Sequence, residues 1–230
     1  MTTTVFPAPA LPCLPVRGSR AQFPVHRIYC VGRNFAEHAK EMGATVDRGN
    51  PVFFMKPADA IVPGGGRVPY PPGTRDLHHE VELVVALGRD AVAEHQAQRI
   101  GGGVFGYGVG LDLTRRDLQA AAKAKGMPWD TAKGFDHSAP ASELVPVADA
   151  GAVFTRRLWL EVNGELRQQS GLDDMVFTVA DVIHELSKLY ALKAGDLVFM
   201  GTPAGVAALL PGDHFRAGVD ELVEFSGHIA

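Results

Sequence analysis

Cysteine is scarce in this 230-residue chain: only Cys13 and Cys30 occur. Their spacing fits neither a disulfide framework nor a zinc site, so a reducing compartment is expected. A surplus of either charge is also missing, with 22 Lys and Arg against 26 Asp and Glu and no run of five like charges. That excludes the basic surface a nucleic acid or an anionic membrane would need. Long apolar runs are absent as well. The longest uncharged stretch near the C-terminus, Leu197 to Gly212, is broken by Gly201, Pro203, Gly205 and Pro211, so no membrane span is expected there. The first residues, MTTTVFPAPALPCLPVRGS, are interrupted by prolines and lack the basic start and continuous apolar core of a secretory leader. A cytoplasmic protein with a loose, Pro-rich arm over residues 1–22 and one domain over 23–230 is the expectation, with a small molecule as its partner.

What the chain does have is apolar material, at 46% of residues, and 26 glycines with 16 prolines. That composition favours short strands and many turns over a helical bundle. Strands are read at His26 to Val31, Val52 to Met55, Val81 to Leu87, Val104 to Leu113, Leu197 to Met200 and Glu221 to Phe225. Asn163-Gly164 makes Arg157 to Val162 and Leu166 to Gln168 a hairpin. Short helices are read at Phe35 to Met42, from a capping box at Thr114 to Asp117 up to Lys125, and at Val179 to Leu189 behind a Thr178 cap. Ile61 to Gly73 and Pro128 to Pro140 read as loops. The pattern has no regular βα alternation and predicts an α+β fold, mostly β.

The most informative stretch is LHHEVELVVALG, residues 77–88. Strand alternation puts Glu80 and Glu82 on one face, which continues through Val84 and Ala86, while Val81, Leu83 and Val85 make the other face apolar. Two carboxylates at the end of a strand buried on both sides need positive partners. Either a cation or a salt-bridged side chain meets that need. Asp112, closing the next strand, is a candidate third ligand, and an all-carboxylate set suits Mg²⁺ or Mn²⁺ rather than zinc. Adjacent strand residues point opposite ways, so His78 and His79 fall off the glutamates' face.

His38 and Glu41 lie three apart on one helical face. They read either as a general-base pair, the carboxylate orienting the imidazole, or as an ordinary surface pair. Lys56 and Lys133 are single lysines in apolar or turn-forming settings, and Gly201-Thr202-Pro203 offers a backbone N–H and a hydroxyl to an anion. Gly101, Gly103 and Gly106 match a dinucleotide-binding pattern, but the strand that follows excludes it.

In order, CVGRNFAEHAKEMG, PVFFMKPADA, LHHEVELVVALG, GVGLDLTRRDLQ, PWDTAKGFDHSAP, VNGELRQ and GTPAGV resemble the fumarylacetoacetate hydrolase family over residues 23–227. Within it they are most similar to the short acylpyruvate hydrolases, above all the bacterial fumarylpyruvate hydrolases of gentisate breakdown. Phe35 stands where a tyrosine is commoner. The resemblance implies a rolled, mixed β-sheet with short helices, usually a homodimer, and Mg²⁺ or Mn²⁺ on Glu80, Glu82 and Asp112. It implies a water-activating dyad of His38 and Glu41, with Lys133 as a catalytic lysine. It places Arg116, Gln119, Gly201 and Thr202 at the substrate and matches Lys56 to a family lysine. The implied reaction is hydrolysis of an acylpyruvate carbon–carbon bond, fumarylpyruvate and water giving fumarate and pyruvate. Arg33, Arg67, Arg75 and Arg116 are candidates for the distal carboxylate. Oxaloacetate decarboxylation, oxo-dienoate isomerisation and a non-catalytic binding module are the competing readings.

Overall fold

The computed structural model describes residues 3–41, 43, 47, 49, 51–88 and 103–230. Two sheets organise it. The larger runs Phe53–Lys56, Arg27–Val31, Asp196–Phe199, Val81–Leu87, Val104–Leu111, Ala139–Ala141, Ile61–Pro63, with Val145–Pro146 added beside Val104–Leu111. Its pairings are mixed: Asp196–Phe199 lies parallel to Arg27–Val31 and antiparallel to Val81–Leu87. The smaller sheet runs Glu165–Gly171, Arg157–Val162, His214–Val219, Val223–Ile229, Gly65–Val68. The architecture is mostly β, as the alternation and turn content predict.

Both faces of the larger sheet are covered, and its central strands divide their side chains accordingly. Val81, Leu83 and Val85 join Tyr29, Val31 and Val198 in a core shared with Leu158, Leu160, Phe215 and Phe225 of the smaller sheet. The helix Val179–Leu189 closes this layer with Val179, Val182, Ile183 and Leu186. Its N-terminus is fixed by the expected box, in which Asp181 N–H donates to Thr178 Oγ1 and Asp181 Oδ2 accepts from Thr178 N–H. The opposite face, Ile28, Cys30, Val84, Ala86, Leu197 and Phe199, packs under Leu14, Val16, Phe23 and Val25.

That second face corrects the expectation of a loose arm over residues 1–22. Cys13–Pro15 pairs with Gln22–Pro24, and Leu14 is fully buried. The prolines prevent a helix but leave Leu14 and Val16 alternating onto the exposed apolar side of the sheet, where burial of each is worth about 1.5–3 kcal/mol.

Further readings change. Ile61 to Gly73 contains two strands, Ile61–Pro63 and Gly65–Val68, because glycine permits their tight junction: Gly65 has φ +77°, and a Cβ there would lie 2.6 Å from Ser226 O. Pro128 to Pro140 contains the helix Asp130–Lys133 and the start of strand Ala139–Ala141. Thr114 is no helix cap. It belongs to a two-residue strand paired with Leu77–His78, and its hydroxyl donates to Asp112 O. The helix begins at Arg116, and Asp117 accepts from Thr74 Oγ1 and Arg75 N–H instead. Strand His214–Val219, which the sequence pattern did not reveal, completes the smaller sheet. Its neighbour is Val223–Ile229 rather than Glu221 to Phe225, since Glu221 takes a left-handed turn conformation, φ +55°. Of the helix expected over Phe35 to Met42, Ala36–Glu41 is helical, and Met42 lies outside the described residues, as does Gly101.

If the arm is a structural layer, Leu14→Ala lowers unfolding stability by about 2–5 kcal/mol, measured by urea titration. A change below about 0.5 kcal/mol would show that the layer contributes nothing.

Candidate active site

The acidic cluster follows from sheet register. Val81 pairs with Leu111 and Glu82 with Gly110. One step further along the same ladder Asp112 N–H donates to Glu80 O, 2.8 Å, so Glu80 and Asp112 face each other across the strand ends. Gly110 is needed opposite Glu82, because a Cβ there would lie 2.6 Å from the Phe199 ring. Ligand oxygens of Glu80, Glu82 and Asp112 all lie within 4.8 Å of one another, and the three residues are buried.

Positive side chains converge on two of the three. Lys133 Nζ, at the end of Asp130–Lys133, lies 2.7 Å from Glu80 Oε2 and 2.5 Å from Asp112 Oδ2. Lys56 Nζ lies 2.8 Å from Asp112 Oδ1 and also donates to the carbonyls of Leu113 and Lys133. Arg116 donates to Glu80 Oε1 at 2.5 Å and to Gln119 Oε1 at 2.6 Å. Lys56 and Lys133 are therefore buried ion-pair partners. Burial opposes charge on Glu80, but Lys133 and Arg116 outweigh it and hold the carboxyl well below its ordinary range. The same carboxylates, Asp112 and Glu80, hold the Lys133 ammonium above its ordinary range against the cost of burial.

Glu82 differs. Its hydrogen bond comes from Gly201 N–H, 2.8 Å, and no Lys, Arg or His pairs with it among the described residues. Burial, with Asp112 and Glu80 beside it, pushes its carboxyl well above the usual range. A buried cluster of hard oxygen donors that lacks positive charge at one member fits a divalent cation. The Gly201 N–H, read from sequence as a donor to an anionic ligand, is thus spent on Glu82. Gly201 has φ +92°, and a Cβ would lie 2.8 Å from Asn34 Cβ.

His38 is buried, and its Nδ1 lies 3.3 Å from Glu41 Oε2. Both oxygens of Glu41 accept from Gly205 N–H at 3.2 Å, so the turn after Gly201 fixes the carboxylate that faces the imidazole. His38, Glu80, Lys133, Arg116, Gln119 and Arg33 line one pocket. His78 and His79 stay outside the cluster: His78 bonds Asp76, and His79 bonds Gln168.

Several contributors escaped the sequence reading. Lys123, four residues beyond the quoted motif, lines the same pocket and lies over the Trp129 ring at 5.1 Å. Burial, Arg116 and Arg33 lower its affinity for a proton. Buried Asn34 ties the loop before the first helix to the Gly201 turn, donating to Phe177 O and Met200 O and accepting from Phe177 N–H. The polar Asn in GRNF was its only signal.

The family model described as "Fumarylacetoacetate (FAA) hydrolase C-terminal" matches residues 27–230. The mitochondrial oxaloacetate tautomerase FAHD1 of Rattus norvegicus is 46% identical over 198 residues, covering 85% of this chain and 88% of the relative. A fumarylpyruvate hydrolase of a Ralstonia species is 40% identical over 193 residues, 80% and 96% of the respective chains. The crystal structure of fumarylpyruvate hydrolase from Pseudomonas aeruginosa, in complex with Mn²⁺ and pyruvate, superposes with a TM-score of 0.93 at 42% identity, covering 99% of each chain. A family model spanning nearly the whole chain and relatives at this level of identity place the protein in the fumarylacetoacetate hydrolase family.

Proposed function

We propose that the protein hydrolyses the carbon–carbon bond of an acylpyruvate, with fumarylpyruvate as substrate and fumarate and pyruvate as products. The observation that carries this reading is the His38–Glu41 pair, anchored by Gly205, whose imidazole lines the same pocket as Glu80 of the carboxylate cluster. Glu80, Glu82 and Asp112 would hold Mg²⁺ or Mn²⁺, which when bound supplies Lewis-acid stabilisation of negative charge on a 2-oxo acid.

The side chains divide the remaining work. With Nδ1 facing Glu41, the imidazole keeps its proton there and presents Nε2 as the base. Nε2 takes a proton from water, whose oxygen adds to the carbonyl carbon remote from the 2-oxo acid. The bond between that carbon and the pyruvyl methylene breaks, its electron pair leaves with pyruvate as the enolate, and the proton on His38 returns to the methylene carbon. Lys133 contributes positive charge where the enolate forms. Lys56 holds Asp112 and the backbone after it in place. Arg116, with Gln119, and Thr202 contact the substrate's 2-oxo acid end.

Fumarylpyruvate has a second carboxylate, which needs a cation at the far end of the pocket. Of the four candidate arginines, Arg33 and Arg116 line it. Arg116 is committed to Glu80 and Gln119. Arg33 and Lys123 form no ion pair among the described residues, and we assign the distal carboxylate to them. The protein is read as a cytoplasmic homodimer.

A second reading, enol–keto interconversion of oxaloacetate, draws support from the rat relative. It needs a proton carried between oxygen and carbon but no water activation, and oxaloacetate also brings two carboxylates.

Loss of enol absorbance separates these readings when fumarylpyruvate, acetylpyruvate and oxaloacetate are compared. Exhaustive chelation is expected to abolish turnover, and Mn²⁺ or Mg²⁺ to restore it; full activity without metal would end the metal reading. His38→Ala is expected to retain Mn²⁺ and lose about 10²–10⁴-fold in hydrolysis, whereas Glu80→Gln loses metal and activity together. Normal turnover by His38→Ala would remove the dyad. Arg33→Ala is expected to raise KM for fumarylpyruvate roughly tenfold or more while leaving acetylpyruvate, which has no distal carboxylate, nearly unchanged. Equal effects on both substrates would reject the assignment.

A further inference from the structure

The VNGELRQ segment ends on Gln168, a glutamine only 1% exposed, which the proposed reaction does not use. All four of its hydrogen-bonding positions are filled. Oε1 accepts from Val81 N–H at 3.1 Å and from His79 Nδ1–H at 2.8 Å. Nε2 donates to Thr202 Oγ1 and to Pro203 O, each at 2.8 Å. The amide cannot be turned over. A backbone N–H only donates and a carbonyl only accepts, so Val81 and Pro203 together fix which end is oxygen.

That orientation determines what Thr202 can do. Its hydroxyl, buried beside the Gly201 turn that holds Glu82, accepts from Gln168 Nε2. The hydroxyl hydrogen has no acceptor among the described residues. A buried donor left unspent is costly unless a ligand takes it. The residues on either side of Glu80, His79 and Val81, are held by the same amide, so one side chain ties the Thr202 hydroxyl to the strand that carries the carboxylate cluster.

We infer that Gln168 is a positioning residue that presets the Thr202 hydroxyl as a hydrogen-bond donor to a bound 2-oxo acid. This rests on the 2-oxo acid reading of the site, which is what places Thr202 at that ligand. An acid in place of the amide would reverse the polarity. A carboxylate at that position has no N–H for Thr202, so the hydroxyl would turn to donate to it and be lost to the ligand.

Calorimetry with Mn²⁺ alone, and then with pyruvate on the Mn²⁺-loaded full chain, tests this without relying on turnover. Gln168→Glu is expected to bind pyruvate roughly ten- to hundredfold more weakly, with Mn²⁺ affinity within about threefold of wild type. Thr202→Val is expected to match that loss, Thr202→Ser to recover most of it, and the Gln168→Glu/Thr202→Val double variant to bind no worse than Thr202→Val. If burying a carboxylate prevents folding, Gln168→Met, which removes the donor without adding charge, is expected to show the same selective loss. Pyruvate binding within twofold of wild type in folded Gln168 variants, strictly additive losses, or Mn²⁺ affinity falling in step with pyruvate affinity would each overturn the inference. Absence of pyruvate binding by the wild-type protein at saturating Mn²⁺ would overturn the 2-oxo acid reading itself, and this inference with it.

Discussion

Three carboxylates gathered inside a β-sheet would repel one another and, unpartnered, forfeit their hydration, a cost of several kcal/mol per ion. The structure answers with placement rather than exposure. Lys133 spans Glu80 and Asp112, Lys56 takes the other side of Asp112, and Arg116 takes the other side of Glu80. Each cation comes from a different element: the short helix Asp130–Lys133, the strand Phe53–Lys56 and the helix Arg116–Ala124. The elements around the sheet's end are therefore held where they are partly by the charges they must neutralise. Glu82 alone relies on a backbone N–H, and that exception is what makes the cluster receptive to a divalent cation.

The fold makes this arrangement possible by burying both faces of one strand. Val81–Leu87 has partners in two separate cores, so its ends cannot drift toward solvent on either side. With the strand pinned, the ladder register carries Glu80 to Asp112 and brings Gly201 against Glu82. The Gly201–Gly205 turn then serves two groups at once. Its first N–H meets Glu82, and its last meets Glu41, which in turn faces His38. Base and acidic cluster share one backbone reference, so a displacement of that turn would move both.

Local pattern made much of this legible in the sequence. Alternation in LHHEVELVVALG put both glutamates on one face and excluded the neighbouring histidines, and helical spacing joined His38 to Glu41. The Thr178 cap and the Asn163-Gly164 hairpin are local signals too. The features that were not legible depend on partners distant in the chain. The ion pairing of Lys56 and Lys133 has no local signal because their acids lie elsewhere in sequence. Leu14 looked like part of a loose arm because the sheet face it covers is assembled from strands far apart in the chain. Strand Gly65–Val68 looked like loop because glycines usually mark turns, yet Gly65 is required here by the close approach of Ser226. Thr114 had the letters of a capping box, but pairing with Leu77–His78 claimed it first.

Hydrolysis of an acylpyruvate and tautomerisation of oxaloacetate both require negative charge to be stabilised on a 2-oxo acid, and the carboxylate cluster with Lys133 is suited to that in either case. The two differ in what happens at the next carbon. Hydrolysis demands that water reach a carbonyl beyond the pyruvyl unit, with a base oriented toward that water. Tautomerisation demands only that a proton be carried between oxygen and carbon. The buried imidazole fixed by Glu41 favours hydrolysis, since only that reaction needs a base aimed at water, although it can carry a tautomerising proton as well. The two substrates also differ in length, and the pocket wall that could register this includes Arg33, Lys123 and Trp129. Under the proposed assignment the second carboxylate of fumarylpyruvate would meet Arg33 and Lys123, which form no ion pair among the described residues, whereas oxaloacetate, with a shorter chain, would extend less far along the pocket. Divergence among relatives of this chain would thus be expected at the outer wall, while the cluster, the lysine and the Gly201–Gly205 turn stay common to both chemistries.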